Sequence, residues 1–447
     1  MVLQPWPKIY QQRRCTAEEA IQRGVQSGQR LFLTGNCSVP HLLMDALVQH
    51  AKNLHDVEIV QVLTIGDSRY VEPDMEGHIR VNTMFISNNV REAVAAGRAD
   101  FTPVFLHEIP LLYRSELPID VALIHVSPPD EHGYCSYGIE VGVTKTAAEV
   151  AKTVIAQVNP KMPRTLGDSF IHVSKIDYIV EVDYPIPEIR MADPSPVQHV
   201  IAEHVASLIE DGATLQTGIG GIPDAVLSFL GDRRNLGIHT ELFSDGVIEL
   251  VEQGVITNEA KTLHPGKMVA GFVLGTQRLY DFIHDNPIVE LHPTEYVNDP
   301  FRIAQNERMV SINSALEVDF TGQVCADSIG HRLYSGVGGQ VDFIRGAAHS
   351  KGGKPIIALP STAKDGKLSR IVWELQPGAG VVTSRNDVHY VVTEFGIAYL
   401  HGKSIRQRVL ALLNIAHPDF REFLAAKARE LNYISAVYTG VNLSPAH

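Results

Sequence analysis

Short apolar runs alternate along the chain with stretches of helical periodicity, and glycine- or proline-rich turns separate them. Residues 119–126, IDVALIHV, are apolar at nearly every position, as in a strand covered on both faces. Thr16 to Gly24 instead spaces its apolar residues as a helix does, with Thr16 and Glu19 placed to form a capping box. Arg30–Leu33, Val57–Ile65 and Phe101–Phe105 read as further strands, and Arg91–Gly97 as a helix. In the second half, SINSALEVDFTG (311–322), YSGVGGQVDFIRGA (334–347), KPIIALPST (354–362) and HYVVTEFGIAYL (389–400) read as strand and turn units, with GVGGQVDF open to a reading as a tight hairpin turn. Strands alternating with helices predict an α/β fold with parallel sheets.

The pattern repeats. SGQRLFLTGNCSVPHLLMDAL (27–47) aligns with DGATLQTGIGGIPDAVLSFL (211–230) once one gap is allowed, matching Gly28 with Gly212, Leu31 with Leu215, Gly35 with Gly218, Pro40 with Pro223 and Leu47 with Leu230. Self-similarity of this length predicts a duplication, hence two similar open α/β domains. The join falls near residues 185–197, where Pro185, Pro187, Pro194 and Pro196 forbid a continuous helix or central strand. The expected domains are therefore 1–190 and 191–447. Carrying the repeat onward sets VEIVQVLTIG against GIHTELFSDG and, with an offset of one residue, places Val62 opposite Glu241.

The stretch 211–246 holds the candidate chemistry. Ala213–Thr217 reads as a strand, Gly218 to Gly221 as a loop, and Pro223–Leu230 as a helix with proline in its first turn. A strand, a glycine loop and a helix start can cradle an anion, because backbone N–H groups and the helix dipole both point at it. The next strand, Ile238–Phe243, carries Glu241 near its end. This pattern alone does not select a site: GIGG lacks both the dinucleotide fingerprint and the P-loop ending, and Glu317 and Glu394 sit in equally apolar contexts. His125 and His132, flanking a proline-rich loop, read as structural or solvated.

Composition narrows the function. A net charge of −13 over 447 residues, with no dense basic stripe, argues against nucleic acid. Cys15, Cys37, Cys135 and Cys325 are too far apart for a zinc site or a disulfide framework, and a reducing cytoplasm fits them best. The N-terminal segment lacks the apolar run of a signal peptide, and no eighteen apolar residues run together, so neither a signal peptide nor a membrane span is expected.

Taken together, NPKMPRTLGDSFIHVSKID (159–177), QTGIGGIPDAV, GIHTELFSDGV, INSALEVDFTGQV, SGVGGQVDF and ALPSTAKDGK resemble the acetyl-CoA hydrolase/transferase family of class I coenzyme A transferases, most closely its 4-hydroxybutyrate CoA-transferase branch. The resemblance implies an active site between the two domains and Glu241 as the catalytic carboxylate. It implies coenzyme A contacts at Gly218, Ile219, Gly220, Gly221, Ile222, Ser335, Gly339 and Lys364, and Asn313 beside the thioester oxygen. The implied reaction moves CoA between a short-chain acyl-CoA and a carboxylate such as acetate, ping-pong through a glutamyl-CoA thioester. CoA is then a substrate, with no tightly bound cofactor and no metal; a cytoplasmic homo-oligomer, a dimer, completes the expectation. An acyl-CoA hydrolase of the same fold and a non-catalytic CoA-ester-binding module are the alternatives.

Overall fold

The structure, a computed structural model, describes residues 5–190, 192–218 and 220–435. The strands that matter here are, in chain order, β1 (Arg30–Leu33), β2 (Val57–Gln61), β3 (Ile79–Thr83), β4 (Ala99–Phe101), β5 (Val121–Val126), β6 (Thr153–Val158), β7 (Leu166–Gly167) and β8 (Tyr178–Glu181). They are followed by β9 (Thr214–Gln216), β10 (Gly237–Phe243), β11 (Met268–Val273), β12 (Val289–Leu291), β13 (Met309–Ser314), β14 (Lys354–Ala358), β15 (Tyr390–Thr393) and β16 (Gly396–Tyr399).

One sheet runs β8-β6-β5-β1-β2-β3-β4, and the other β16-β15-β14-β13-β9-β10-β11-β12-β7. Removing β16 and β7 from the second leaves the same order and connectivity as the first, with every shared pair parallel. The duplication read from 27–47 and 211–230 is thus a duplication of fold. Register agrees residue by residue: Leu31 pairs with Ile59 in one copy and Leu215 with Ile238 in the other, and three residues further along stand Val62 and Glu241. Backbone conformation agrees as well, since Gly28 and Gly212 take φ of 78° and 72°, and Asp56 and Asn235 take 55° and 56°.

In each sheet the chain winds outward one way from β1 or β9 and then returns to the other side through β5 or β13. The carboxyl ends flanking that reversal are where open α/β sheets bind ligands. The two halves do not pack as strangers. One cluster of buried apolar residues includes Phe32 and Ile124 of the first sheet with Leu215 and Phe243 of the second. Strand β7 leaves the first half to pair with β12, and residues 139–142 lie along β11, with Val141 and Gly142 N–H donating to Gly271 and Val273 N–H donating to Ile139.

Three expectations need correction. YSGVGGQVDFIRGA is not a strand and hairpin turn: Gln340–His349 is a helix with Gly339 at its N-cap, because Val341, Ile344 and Ala347 fall on one buried face at helical spacing. The strands expected at Val57–Ile65 and Phe101–Phe105 are shorter, as residues 62–65 and 102–105 leave the sheet once past its edge. The helix expected at Pro223–Leu230 begins two residues earlier, at Gly221, and ends at Ser228. The Thr16 capping box is present, with Glu19 N–H donating to Thr16 Oγ1 at 3.2 Å and Thr16 N–H to Glu19 Oε2 at 3.1 Å. Among the described residues, no helix is long and apolar enough to cross a membrane.

Candidate active site

The carboxyl ends of the two sheets face one cavity of about 330 Å³. The first half contributes Asn36 after β1, Val62 after β2, Phe85 after β3, and Glu140; the second contributes Thr217 and Gly218 after β9, Glu241 on β10, and Asn313 on β13. The segment 335–339 closes it. Ser335 and Gly338 carbonyls accept from the N–H groups of Ile86 and Leu106, so this loop of the second half is bonded to the first. Gly336 fits there because a Cβ would stand 3.1 Å from the Met84 carbonyl oxygen.

Glu241 is set by its strand and by two neighbours. Thr240 Oγ1 donates to the Thr217 carbonyl at 2.8 Å and accepts from Thr217 N–H at 3.2 Å, which ties β10 to the start of the glycine loop. Asn298 Nδ2 donates to Glu241 Oε2 at 3.0 Å. Burial in the cavity pushes the carboxyl up to about 7, the Asn298 and Gly339 N–H groups pull it back, and the negative charge of Asp342 adds to the rise. Asp342 is itself buried, held above the ordinary carboxylate range by desolvation, and it faces His107 Nδ1 at 2.7 Å. A carboxylate near its midpoint at neutral pH, poorly hydrated and fixed at one oxygen, is suited to nucleophilic work.

The other two glutamates are occupied structurally. Glu317 accepts from Gln376 N–H at 2.8 Å, and Glu394 accepts from Ser361 N–H at 2.8 Å and Ser361 Oγ at 2.6 Å. Neither lines the cavity. Of the three, Glu241 alone lines the cavity.

The remaining candidates divide. Gly218, Asn313, Ser335 and Gly339 line the cavity with Glu241. Asn313 gives one amide proton to Gln216 Oε1 at 3.0 Å, and Gln216 is locked by Ile312 N–H at 3.1 Å, which leaves the second Asn313 proton for a ligand. Gly220 is the helix N-cap at φ 121°, a conformation that favours glycine, and Gly221 abuts Gln198 so closely that a Cβ would fall 2.4 Å from its amide nitrogen. Ile222 is in the core, and Ile219 lies outside the described residues. Lys364 is exposed at φ 50° in the hairpin between Thr362–Ala363 and Leu368–Ser369, away from the cavity wall. His125 is fully buried and driven down to about 3 by desolvation, while His132 is exposed beside Glu131.

Sequence reasoning missed Gln216, Asn298, Asp342, His107 and Glu140. Asn298 caps the short helix Thr294–Val297 and His107 lies in the 3-10 turn Leu106–Glu108, with no motif to mark either. Glu140 follows the proline-rich loop and carried no signal beyond being polar.

A match to the acetyl-CoA hydrolase/transferase N-terminal domain covers residues 4–189, and a match to the C-terminal domain of the same family covers 275–428. The 4-hydroxybutyrate coenzyme A transferase of Clostridium kluyveri is 55% identical over 420 residues, 94% of this chain and 98% of that protein. The succinyl-CoA:acetate/propanoyl-CoA:succinate CoA transferase of Fasciola hepatica is 50% identical over 90% of this chain and 85% of its own length. Among solved structures, the 4-hydroxybutyrate CoA-transferase of Porphyromonas gingivalis superposes with a TM-score of 0.83 at 42% identity, covering 95% of this chain and all (100%) of that one.

Proposed function

This chain belongs to the acetyl-CoA hydrolase/transferase family, and on that premise we propose that it is a CoA-transferase working through Glu241, exchanging CoA between a short-chain acyl-CoA and a carboxylate such as acetate. The observation that carries the role of Glu241 is its carboxyl in the wall of the cavity, fixed by Asn298 and facing the same space as Asn313.

A Glu241 carboxylate oxygen attacks the acyl carbonyl, the carbon–sulfur bond breaks, and an acyl-glutamyl anhydride forms with CoA thiolate. The thiolate attacks the glutamyl carbonyl, expelling the first carboxylate and leaving a glutamyl-CoA thioester. A second carboxylate reverses both steps and leaves as the new acyl-CoA. No proton is consumed, and the thioester energy stays in the covalent intermediates. Holding the reactants together supplies the effective concentration a carboxylate needs. Each addition creates an oxyanion, for which the free amide proton of Asn313 and the N–H groups beyond Gly218 are suitable donors. Ser335, Gly339, Gly220, Gly221, Ile222 and Lys364 complete the proposed surroundings of CoA. The cytoplasm, in keeping with four free cysteines, and a closed homo-oligomer, a dimer, belong to the same reading, as does CoA acting as substrate with no resident cofactor.

The test is isotope exchange between acyl-CoA and labelled acetate, with borohydride trapping after incubation with acyl-CoA alone. Ping-pong kinetics and modification of the peptide containing Glu241 are expected, and Glu241→Gln should lower transfer by several orders of magnitude. CoA release that proceeds equally without an acceptor acid identifies a hydrolase instead.

A further inference from the structure

Away from the cavity of Glu241, a second set of side chains converges. Among the described residues, His264, Glu290 and His292 are the one group of three histidine, cysteine or carboxylate side chains whose ligand atoms all lie within 4.8 Å of one another. None of the three lines the Glu241 cavity, so the transfer chemistry gives them no task.

The chain brings them together in two pieces. Glu290 lies on β12 and His292 directly after it, where His292 N–H still donates to the Ala270 carbonyl at 2.9 Å, and residues two apart on an extended strand point to one face. His264 comes from the loop before β11, which is fixed from within. Lys261 Nζ donates to the carbonyls of Ile238 at 2.8 Å and Lys267 at 2.6 Å, and Gly266 N–H donates to that of Asn258 at 2.9 Å. His264 Nδ1 consequently stands 2.9 Å from Glu290 Oε2, and His292 Nε2 stands 3.3 Å from the same oxygen.

Those separations suit a metal ion. With bonds of about 2.0–2.1 Å, two ligands of a tetrahedral zinc ion lie about 3.3–3.4 Å apart, within a small side-chain shift of the distances found. Each histidine also has the supporting contact that fixes a ligand ring: His264 Nε2 meets the Tyr296 hydroxyl at 2.6 Å, and the His292 ring stacks on that of Tyr296 at 4.9 Å. When His264 Nε2–H donates to Tyr296, Nδ1 turns a lone pair toward the carboxylate, and a cation between the two acceptors relieves their repulsion. Lys267 Nζ lies 3.8 Å from the other carboxylate oxygen, Oε1, and leaves Oε2 to the histidines. His292 and Tyr296 border a surface cavity of about 500 Å³, which gives an ion a path in and a water to complete its shell.

We propose that His264 Nδ1, Glu290 Oε2 and His292 Nε2 bind one divalent ion of the zinc class, with water as the fourth ligand. Two imidazoles and one carboxylate favour zinc and its neighbours over magnesium or calcium, which prefer oxygen shells. The ion joins the loop before β11 to β12, the strand whose edge β7 of the first half completes, and it braces Tyr296 in the short helix Thr294–Val297 that runs into Asn298. Its work is to hold that segment in place. The site goes beyond the CoA-transfer reading and does not depend on it.

The experiment takes untagged full-length protein, freed of metal by chelation, and titrates it with Zn²⁺ in equilibrium dialysis and with Co²⁺ in visible spectroscopy. One equivalent of Zn²⁺ should bind at micromolar concentration, and Co²⁺ should show the intense visible absorption of a four-coordinate ion. In wild type, Zn²⁺ should protect His264 and His292 from acylation by diethyl pyrocarbonate, mapped by peptide mass, while the exposed His132 reacts equally with and without metal. His264→Ala and His292→Ala should each weaken Zn²⁺ binding by about tenfold or more. Binding confined to millimolar Zn²⁺, protection that falls on other histidines, or folded variants that hold Zn²⁺ as tightly as wild type would each overturn the site. Should a variant not fold, the wild-type protection pattern decides.

Discussion

Gly339 and Glu241 stand so close that a Cβ on residue 339 would fall 2.0 Å from Glu241 Oε2 and 2.3 Å from Asn298 Nδ2. Glycine is required here for approach and not for a left-handed backbone, since Gly339 has φ −95°. Gly339→Ala should displace the carboxylate by a fraction of an ångström or more and lower kcat by about 100-fold, because misplacement on the 1 Å scale costs that much. A folded Gly339→Ala protein with wild-type kcat would show that the position of Glu241 does not matter to turnover.

Asn298 sets the ionisation of Glu241 as well as its position. As the proposed nucleophile, Glu241 must be ionised, so kcat/KM for the acyl-CoA should rise as pH passes through about 7. Removing the amide donor in Asn298→Ala takes away a group that lowers the carboxyl pKa, and the midpoint should move to higher pH. A loss of rate with an unmoved midpoint would assign Asn298 a packing role only.

Glu140 links the cavity to stability. Its ordinary value of 4.5 is raised to about 8 by burial, so the folded chain keeps a proton that the unfolded chain has released between those limits. Stability therefore falls as pH rises from 4.5 toward 8 and levels off above. Glu140→Gln has no charge to bury and should be more stable than wild type at pH 8.5 by about 1–3 kcal/mol, with the difference gone below pH 4.5. Chemical denaturation at both ends of the range measures it, and a constant difference across pH would contradict the buried proton.

Glu317 and Glu394 should behave in the opposite way to Glu241. Each accepts hydrogen bonds from backbone N–H groups, and replacement by Ala should lower stability by about 1–3 kcal/mol while the folded fraction still forms the borohydride-sensitive adduct. Loss of the adduct in folded Glu317→Ala or Glu394→Ala would place the nucleophile elsewhere.

For Lys364, exposed on its hairpin, a contact with the anionic end of CoA has a distinct signature. Lys364→Ala should raise KM for the acyl-CoA several-fold with kcat little changed, and the effect should shrink as salt is added. An unchanged KM at low salt removes Lys364 from the CoA site.

The fold was legible because it repeats. Gly28, Leu31 and Gly35 find counterparts in Gly212, Leu215 and Gly218, and local pattern is what a duplicated strand, turn and helix preserve. Glu241 stood out only through its motif, since apolar flanks describe Glu317 and Glu394 equally well. What stayed hidden was long-range: Asn298 reaches Glu241 from 57 positions away, and Asn36 reaches Glu140 from 104. The helix at Gln340–His349 was obscured by GVGG, whose glycines mimic a hairpin turn while serving a close approach to Glu241 and to the Phe85 backbone.

Strand β7 makes the two copies unequal. Leu166 and Gly167 complete the edge of a sheet that belongs to the other copy, and Gly167 fits only because a Cβ would fall 2.6 Å from the Leu291 carbonyl oxygen. With that edge supplied by the first half, the second sheet is incomplete without it. Severed near residue 190, the C-terminal piece would present β12 as a bare edge, an open invitation to strand exchange between molecules. Mixing the two pieces during refolding should relieve that self-association, so the halves are better regarded as obligate complements than as two modules on a string.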